Sequence, residues 1–182
     1  MGVIDLVIVV CWLAFWTFWL VAAVGAKPGQ GRLGGLIGAR AGLLVVIIFL
    51  ARGLGFRSHP VKIDPVMAGI GLGLFFLGLA LALWARLYIG RNWGMPMTRK
   101  QEPELVTTGP YRRVRHPIYS GIILAMLGTA LAINLYGLIA VAVLSGYFIV
   151  SATREEAYLA GRFPDTYPAY KHSTKMLLPF IF

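Results

Sequence analysis

Charged residues are scarce in this sequence. Of its 182 residues, 13% are Asp, Glu, Lys or Arg, and 58% are hydrophobic. A soluble domain of this size usually has about a quarter of its residues charged. So few charges cannot cover a surface that faces water, and lipid is therefore the expected surrounding of most of the chain. The sequence predicts an integral membrane protein with one polytopic domain over residues 1–182.

Acidic residues are scarcer still, and cysteine is almost absent. Seven Asp and Glu residues stand against 17 Lys and Arg residues, which gives a formal net charge of +10. The basic residues lie in short gaps between apolar runs, an arrangement that argues against a nucleic-acid-binding face and fits the positive-inside bias of membrane proteins. The single cysteine, Cys11, excludes an internal disulfide, and no paired-cysteine or HExxH motif supports a metal site.

Five apolar runs are long enough, or nearly long enough, to cross a bilayer as helices. A spanning helix needs roughly 20 mostly apolar residues. The runs cover 3–25, 35–54, 66–90, 117–133 and 137–153. Three residues separate the last two, so these are expected to form a tight antiparallel hairpin. The predicted fold class is an all-α membrane protein with about five transmembrane helices.

The third run contains glycines at 69, 71, 73 and 78, a pattern with a superficial likeness to a nucleotide-binding loop. It follows no predicted strand, so a Rossmann loop is excluded. Small residues at such spacing inside a span more often permit close packing between helices.

The distribution of Lys and Arg predicts the orientation. With five spans, the loop after the first span, the polar stretch 91–116 and the C-terminal tail all fall on one side of the membrane. That side carries 14 of the 17 basic residues. It is therefore expected to be cytoplasmic, with the N-terminus outside and the C-terminus inside, across the inner membrane if the source is prokaryotic.

Two segments have enough polar groups to build a site, 91–119 and 151–172. Both fall on the predicted cytoplasmic side and flank the last hairpin, so a cleft at that interface is expected. On physical grounds alone, the first segment could equally be an interfacial anchor, with Arg facing lipid phosphate and Tyr facing the headgroups. Salt bridges to nearby arginines would likewise account for the adjacent carboxylates Glu155 and Glu156.

Two motifs in these segments carry a family resemblance. The first is Gly109-Pro110-Tyr111 with Arg115-His116-Pro117-Ile118-Tyr119, and the second, about 35 residues later, is Glu155-Glu156 with Tyr167 and Tyr170. The combination closely resembles the isoprenylcysteine carboxyl methyltransferase and phospholipid methyltransferase family of integral membrane enzymes. The resemblance covers roughly residues 84–182.

The resemblance implies a membrane methyltransferase with S-adenosylmethionine as methyl donor and S-adenosylhomocysteine as product. The cofactor would be held by a cytoplasmic loop and the C-terminal tail. The cofactor-binding residues that it implies are Leu105, Val106, Tyr111, His116, Pro117, Ile118, Tyr119 and Glu155. Arg154 and Glu156 are the catalytic candidates, and Glu156 is also a candidate support for the cofactor site. The acceptor would be a lipophilic molecule that enters sideways from the membrane lipids.

One position departs from the family pattern and bears on the acceptor. Prenylcysteine-specific members carry an arginine where this sequence has Ser151. If the acceptor is the carboxylate or thiol of a prenylcysteine-like molecule, Arg154 or Arg162 is expected to replace that arginine. The alternative is methylation of a phospholipid amine, which must lose a proton and would give Glu156 or His116 a role as base.

Interpretations of other classes also follow from a small polytopic protein. A nicotinamide-dependent membrane reductase is one, although such proteins usually have more spans. A non-catalytic scaffold or a small transporter is another. A transporter would be expected to show polar or broken helices at the membrane midplane, whereas Arg40, Arg52 and Arg86 all lie near the ends of runs.

Overall fold

The computed structural model describes residues 2–24, 29–30, 63–93, 99–100, 104–179 and 181. Its helices are α1 (Val3–Val24), α2 (Pro65–Ile89), α3 (Pro117–Ile133), α4 (Gly137–Arg162) and α5 (Tyr167–Ser173). Short 3₁₀ turns cover Gly90–Asn92 and Gly109–Arg112. Two-residue strands, β1 (Gly29–Gln30) and β2 (Arg99–Lys100), pair antiparallel. The predicted all-α fold class is confirmed, while the predicted span 35–54 lies outside the described residues.

Helices α1, α2 and α4 are each long and apolar enough to cross a membrane. Helix α3 is apolar but has 17 residues, and it forms with α4 the hairpin predicted around residues 134–136. The bounds of the first, third and fourth predicted runs agree with α1, α2 and α3 to within one residue. Helix α4 continues nine residues beyond the predicted end at 153. That extension places both glutamates of the Glu-Glu motif on a helix.

Helices α2 and α3 approach each other closely along a seam of small residues. A Cβ added at Gly71 would lie 2.7 Å from the backbone N of Ala132, and one at Gly121 would lie 2.6 Å from the backbone N of Ala82. These distances leave no room for a side chain. The prediction of close packing is thus confirmed for Gly71, whereas a Cβ at Gly73 would meet nothing within 4 Å in the described part of the chain.

Helix α1 is fastened at two points. Near its middle, the buried indole of Trp12 donates a hydrogen bond of 3.1 Å to Oγ1 of Thr129 on α3. Near its end, Arg86 of α2 donates 2.7 Å to the carbonyl of Ala22 and 2.8 Å to that of Gly90. The Arg86 guanidinium also lies 4.6 Å from the ring centroid of Trp93, a cation–π contact that fixes this ring just after α2.

Candidate functional site

Side chains from the end of α2, from 104–119, from α4 and from α5 converge on one pocket at the open end of the α3–α4 hairpin. The pocket is open at its mouth, and the space within it and directly in front of it amounts to about 910 Å³. Seven of the eight residues predicted to bind the cofactor line it: Leu105, Val106, Tyr111, His116, Ile118, Tyr119 and Glu155.

The turn before α3 brings Tyr111 into the pocket. Gly109 has φ of +60°, a left-handed conformation that L-residues with side chains rarely adopt. A Cβ there would also lie 2.5 Å from the ring of Tyr88, which would have to move aside. Pro117 then begins α3, where its missing N–H has no intrahelical partner to lose. Pro117 is fully buried and does not line the pocket.

Tyr119 and Glu155 form the central polar pair. The Tyr119 hydroxyl donates a hydrogen bond of 2.7 Å to Oε1 of Glu155 and lies 3.5 Å from Oγ of Ser151. The Tyr119 ring stacks on His116 with centroids 5.3 Å apart and on Phe148 with centroids 4.7 Å apart. Stacking from both sides fixes the ring, and the ring in turn orients the half-buried Glu155 carboxylate.

Glu156 points into a second polar network behind the pocket. Its Oε1 accepts a 2.7 Å hydrogen bond from Nε of Arg115, and its Oε2 lies 3.0 Å from Nζ of Lys171. Arg115 also donates 2.6 Å to the carbonyl of Thr174. His116 lies between the two carboxylates, with ring nitrogens 3.5 Å from Oε2 of Glu155 and 3.5 Å from Oε1 of Glu156. The network ties the start of α3, α4 and the tail together.

The tail beyond α5 closes this region by pairing with the segment before α3. Arg115 donates its backbone N–H to the carbonyl of Lys175 at 2.8 Å, and His116 donates to that of Met176 at 3.1 Å. Within α5, the Tyr170 hydroxyl donates 2.8 Å to the carbonyl of Tyr111. Tail and α5 therefore hold the backbone that carries two residues of the pocket wall.

On the opposite wall, an asparagine fixes the chain that leads to the apolar lining. The Asn92 side chain donates 2.7 Å to the carbonyl of Glu104 and accepts 3.3 Å from its N–H. This two-point contact places Leu105 and Val106 against the pocket. Burial raises the pKa of the Tyr111, Tyr167 and Tyr170 hydroxyls, so all three remain neutral hydrogen-bonding groups at physiological pH.

Several predicted site residues lie outside the pocket lining. Ser151 is completely buried and touches the site through Tyr119. Glu156 is buried in its ion pairs, while Arg154 and Arg162 lie on exposed parts of α4. These contacts do not test the catalytic and substrate roles predicted for these residues, which stay predictions. Glu156 forms a salt bridge to a neighbouring arginine, as the alternative interpretation of the two adjacent carboxylates predicted.

Other residues of the wall were not singled out by sequence reasoning as site residues. They are Ile89, Asn92, Trp93, Glu104, Arg115, Tyr158, Leu159, Tyr167 and Tyr170. The signal for some was present, since Arg115, Tyr167 and Tyr170 belong to the motifs that carried the resemblance. Tyr158 follows Glu155 by three residues, the spacing that puts helical residues on one face, but this requires knowing that α4 extends past 153.

The fold and the site define a class of protein. Apolar helices of spanning length carry, at the open end of their last hairpin, a pocket lined by aromatic rings with a tyrosine–glutamate pair. Residues 66–166 match the family model of the phospholipid methyltransferases. This match covers more than half of the chain, and the chain therefore belongs to the phospholipid methyltransferase family. The family resemblance predicted from the sequence is confirmed.

Curated relatives agree with this assignment. The chain is 33% identical over 114 residues to a protein-S-isoprenylcysteine O-methyltransferase of Schizosaccharomyces pombe, covering 60% of the chain and 48% of the relative. It is 31% identical over 147 residues to protein-S-isoprenylcysteine O-methyltransferase B of Arabidopsis thaliana, covering 79% and 74%. A third relative, cobalt-zinc-cadmium resistance protein CzcN of Cupriavidus metallidurans, is 29% identical over 144 residues, covering 74% and 61%. The chain thus spans about half the length of the first of these relatives.

Proposed function

We propose that this protein moves a methyl group from S-adenosylmethionine to a lipophilic acceptor, namely the carboxylate or thiol of a prenylcysteine-like molecule. The observation that carries the proposal is the Tyr119–Glu155 pair inside an aromatic pocket at the open end of the last hairpin. The two relatives named as isoprenylcysteine O-methyltransferases support the reaction class. The family match gives no comparable support to a reductase or a scaffold.

The chemistry of the pocket fits the donor. S-adenosylmethionine combines a positive sulfonium and an ammonium with ribose hydroxyls and a flat purine. The wall offers the Glu155 carboxylate for the cationic and hydroxyl groups, tyrosine rings for cations, and the apolar side chains Leu105, Val106 and Ile118 for the purine. When bound, the donor supplies an electrophilic methyl group.

The protein's own residues have three tasks in this proposal. Glu155, held by the Tyr119 hydroxyl, accepts hydrogen bonds from the donor. His116, stacked on Tyr119, keeps its ring at the edge of both carboxylates and contacts the donor's amino-acid end. The rings around them exclude water. Alignment of two reactants in a dry site can supply up to about 7–11 kcal/mol, and displacement at carbon by a carboxylate or thiolate requires no further base.

The acceptor's anionic group needs a cation, and the buried Ser151 cannot provide one. Arg115 lines the pocket but is already bound to Glu156 and to the carbonyl of Thr174. Arg154 lies one helical turn after Ser151 and is exposed, as is Arg162 further along α4. We propose that one of these two binds the acceptor carboxylate, with the apolar tail of the acceptor in the surrounding lipid. Glu156 then positions Arg115 and His116.

The amine of a phospholipid headgroup is the second candidate acceptor. Two observations favour it: serine at 151 removes the arginine that a carboxylate would bind, and the matching family model is that of the phospholipid methyltransferases. An amine has to lose its proton before or during transfer. His116, 3.5 Å from both glutamates, is the proposed route for that proton in this case.

The proposed orientation places the pocket on the cytoplasmic side, where S-adenosylmethionine is available. The support is the excess of Lys and Arg in the segments that flank α3 and α4. The N-terminus would then lie outside.

Titration calorimetry of the purified protein in detergent tests the donor site. Micromolar binding of S-adenosylmethionine and S-adenosylhomocysteine is expected, with loss of binding in Glu155→Gln and His116→Ala. Absence of heat with folded protein up to millimolar ligand would overturn the proposal and direct the test to NADPH.

The acceptor is identified with the donor carrying a radioactive methyl group and protein in lipid nanodiscs. An N-acylated S-prenylcysteine is compared with phosphatidylethanolamine. Base-labile label on the prenylcysteine indicates a methyl ester, and label in the phospholipid indicates N-methylation. If the prenylcysteine is the acceptor, Arg154→Gln or Arg162→Gln is expected to raise its KM and to leave the affinity for S-adenosylhomocysteine unchanged.

A further inference from the structure

Tyr167, at the start of α5, combines deep burial with an unsatisfied hydroxyl. Its side chain is 1% exposed and is among the largest fully buried side chains of the described residues. It lines the pocket together with Glu155 and Tyr170. Within the part of the chain that the structure describes, no group hydrogen-bonds to its hydroxyl.

A buried hydroxyl without a partner costs free energy, and most such groups in folded proteins are paired. A tyrosine that only filled space at this position would be replaced without loss by phenylalanine. For a tyrosine that lines a ligand pocket, in contrast, the ligand is a source of the missing partner. Burial and the nearby carboxylates of Glu156 and Glu155 raise its pKa, so the hydroxyl keeps its proton and is able to donate.

Tyr170 provides an internal comparison. It lies three residues later in the same short helix and lines the same pocket, but its hydroxyl donates 2.8 Å to the carbonyl of Tyr111. One tyrosine of this pair is therefore committed to the protein's own structure. The hydroxyl of the other is directed to no acceptor among the described residues.

We propose that the Tyr167 hydroxyl donates a hydrogen bond to the bound methyl donor, which makes Tyr167 a ligand-binding residue in addition to the eight that the family resemblance implies. This inference rests on the proposed function for the identity of the ligand. S-adenosylmethionine offers several acceptors for such a bond, namely its carboxylate, its ribose hydroxyls and its purine nitrogens.

The test compares Tyr167→Phe with Tyr170→Phe by two measurements, S-adenosylhomocysteine affinity from calorimetry and the unfolding midpoint of the ligand-free protein. Tyr167→Phe is expected to weaken binding about three- to tenfold, the loss of one net hydrogen bond, with a ligand-free midpoint equal to or above that of the parent protein. Tyr170→Phe loses a bond within the protein, so its ligand-free midpoint is expected to fall by about 2–4 °C.

Three outcomes have defined meanings. If Tyr167→Phe lowers the ligand-free midpoint and leaves affinity unchanged, the hydroxyl has a partner within the protein and the inference is overturned. Unchanged affinity with an unchanged midpoint overturns it as well. If the parent protein itself binds no S-adenosylhomocysteine, the proposed function fails, a result distinct from the first two. Repeating the titration with 5′-methylthioadenosine, which lacks the amino-acid group, shows which half of the donor the hydroxyl contacts.

Discussion

The Glu156→Gln substitution is expected to destabilise the fold, because it leaves the guanidinium of Arg115 without its charge partner. The two side chains are 3% and 8% exposed, and Nε of Arg115 lies 2.7 Å from Oε1 of Glu156. The pair joins α4 to the start of α3, and Arg115 continues to the carbonyl of Thr174 in the tail. Loss of the carboxylate charge therefore weakens the junction of three elements that surround the pocket.

The magnitude follows from the burial of each partner. Removing one member of a buried ion pair costs about 3–5 kcal/mol. Glutamine keeps an oxygen that accepts from Arg115, so the lower end, about 3 kcal/mol, is expected. The other partner, Lys171, is 55% exposed, and such a pair contributes no more than about 1 kcal/mol. At about 2–4 °C per kcal/mol for a chain of this length, the midpoint should fall by about 6–12 °C.

The assay is thermal unfolding in detergent, followed by tryptophan fluorescence, with Lys171→Ala as the matched control. The control is expected to lose less than about 4 °C. A midpoint for Glu156→Gln within about 2 °C of the parent would contradict this expectation, since the buried pair would then contribute no more than an exposed one. Arg115→Met combined with Glu156→Leu is expected to regain stability relative to either single variant, because no unpaired charge remains buried.

On the α2–α3 seam, Gly71→Ala is expected to lower the unfolding midpoint, because the added Cβ would lie 2.7 Å from backbone atoms of α3. Gly73→Ala is the control and should maintain or raise the midpoint, because its Cβ would meet nothing within 4 Å in the described part of the chain. Equal effects of the two substitutions would contradict the packing argument. The buried hydroxyls of Tyr111, Tyr167 and Tyr170 have a raised pKa in the folded protein, so the unfolded chain releases these protons first as the pH rises. The free energy of unfolding is therefore expected to keep its full contribution from these groups below about pH 10 and to fall above it. A midpoint that is flat up to about pH 11 would contradict this. A green fluorescent protein fused to the C-terminus should fluoresce in cells, because the C-terminus is proposed to be cytoplasmic. An active alkaline phosphatase fused to the C-terminus would indicate the opposite orientation.

Local chemistry determines much of this fold. Runs of about 20 apolar residues can only be helices in lipid, because every backbone N–H and C=O must be paired within the segment. For this reason α1, α2 and α3 begin and end within about a residue of their predicted bounds. The end of α4 is harder to predict, since Arg154, Glu155 and Glu156 are polar. The helix continues because these glutamates find partners, Tyr119 for Glu155 and Arg115 for Glu156, in other parts of the chain.

Most of the residues that the sequence motifs named as cofactor candidates are residues that line the pocket. Eight cofactor candidates came from a resemblance in sequence, and the fold brings seven of them to one pocket. Pro117 differs because its ring packs inward at the first turn of α3. Adjacent residues on a helix point about 100° apart, so Glu155 lines the pocket while Glu156 enters the Arg115 network. The sequence does not show which of the two glutamates takes which place.

Composition and the lengths of the apolar runs are sufficient to predict a helical membrane protein, because both reflect the solvent that surrounds the chain. The motifs are sufficient to assign the phospholipid methyltransferase family. Which polar groups lie together in one site depends on the three-dimensional fold. Contacts such as Tyr119 with Glu155, Arg115 with Thr174 and Tyr170 with Tyr111 join residues 36, 59 and 59 positions apart. Such pairings depend on how the α3–α4 hairpin and the tail close on each other, and no local pattern encodes that distance.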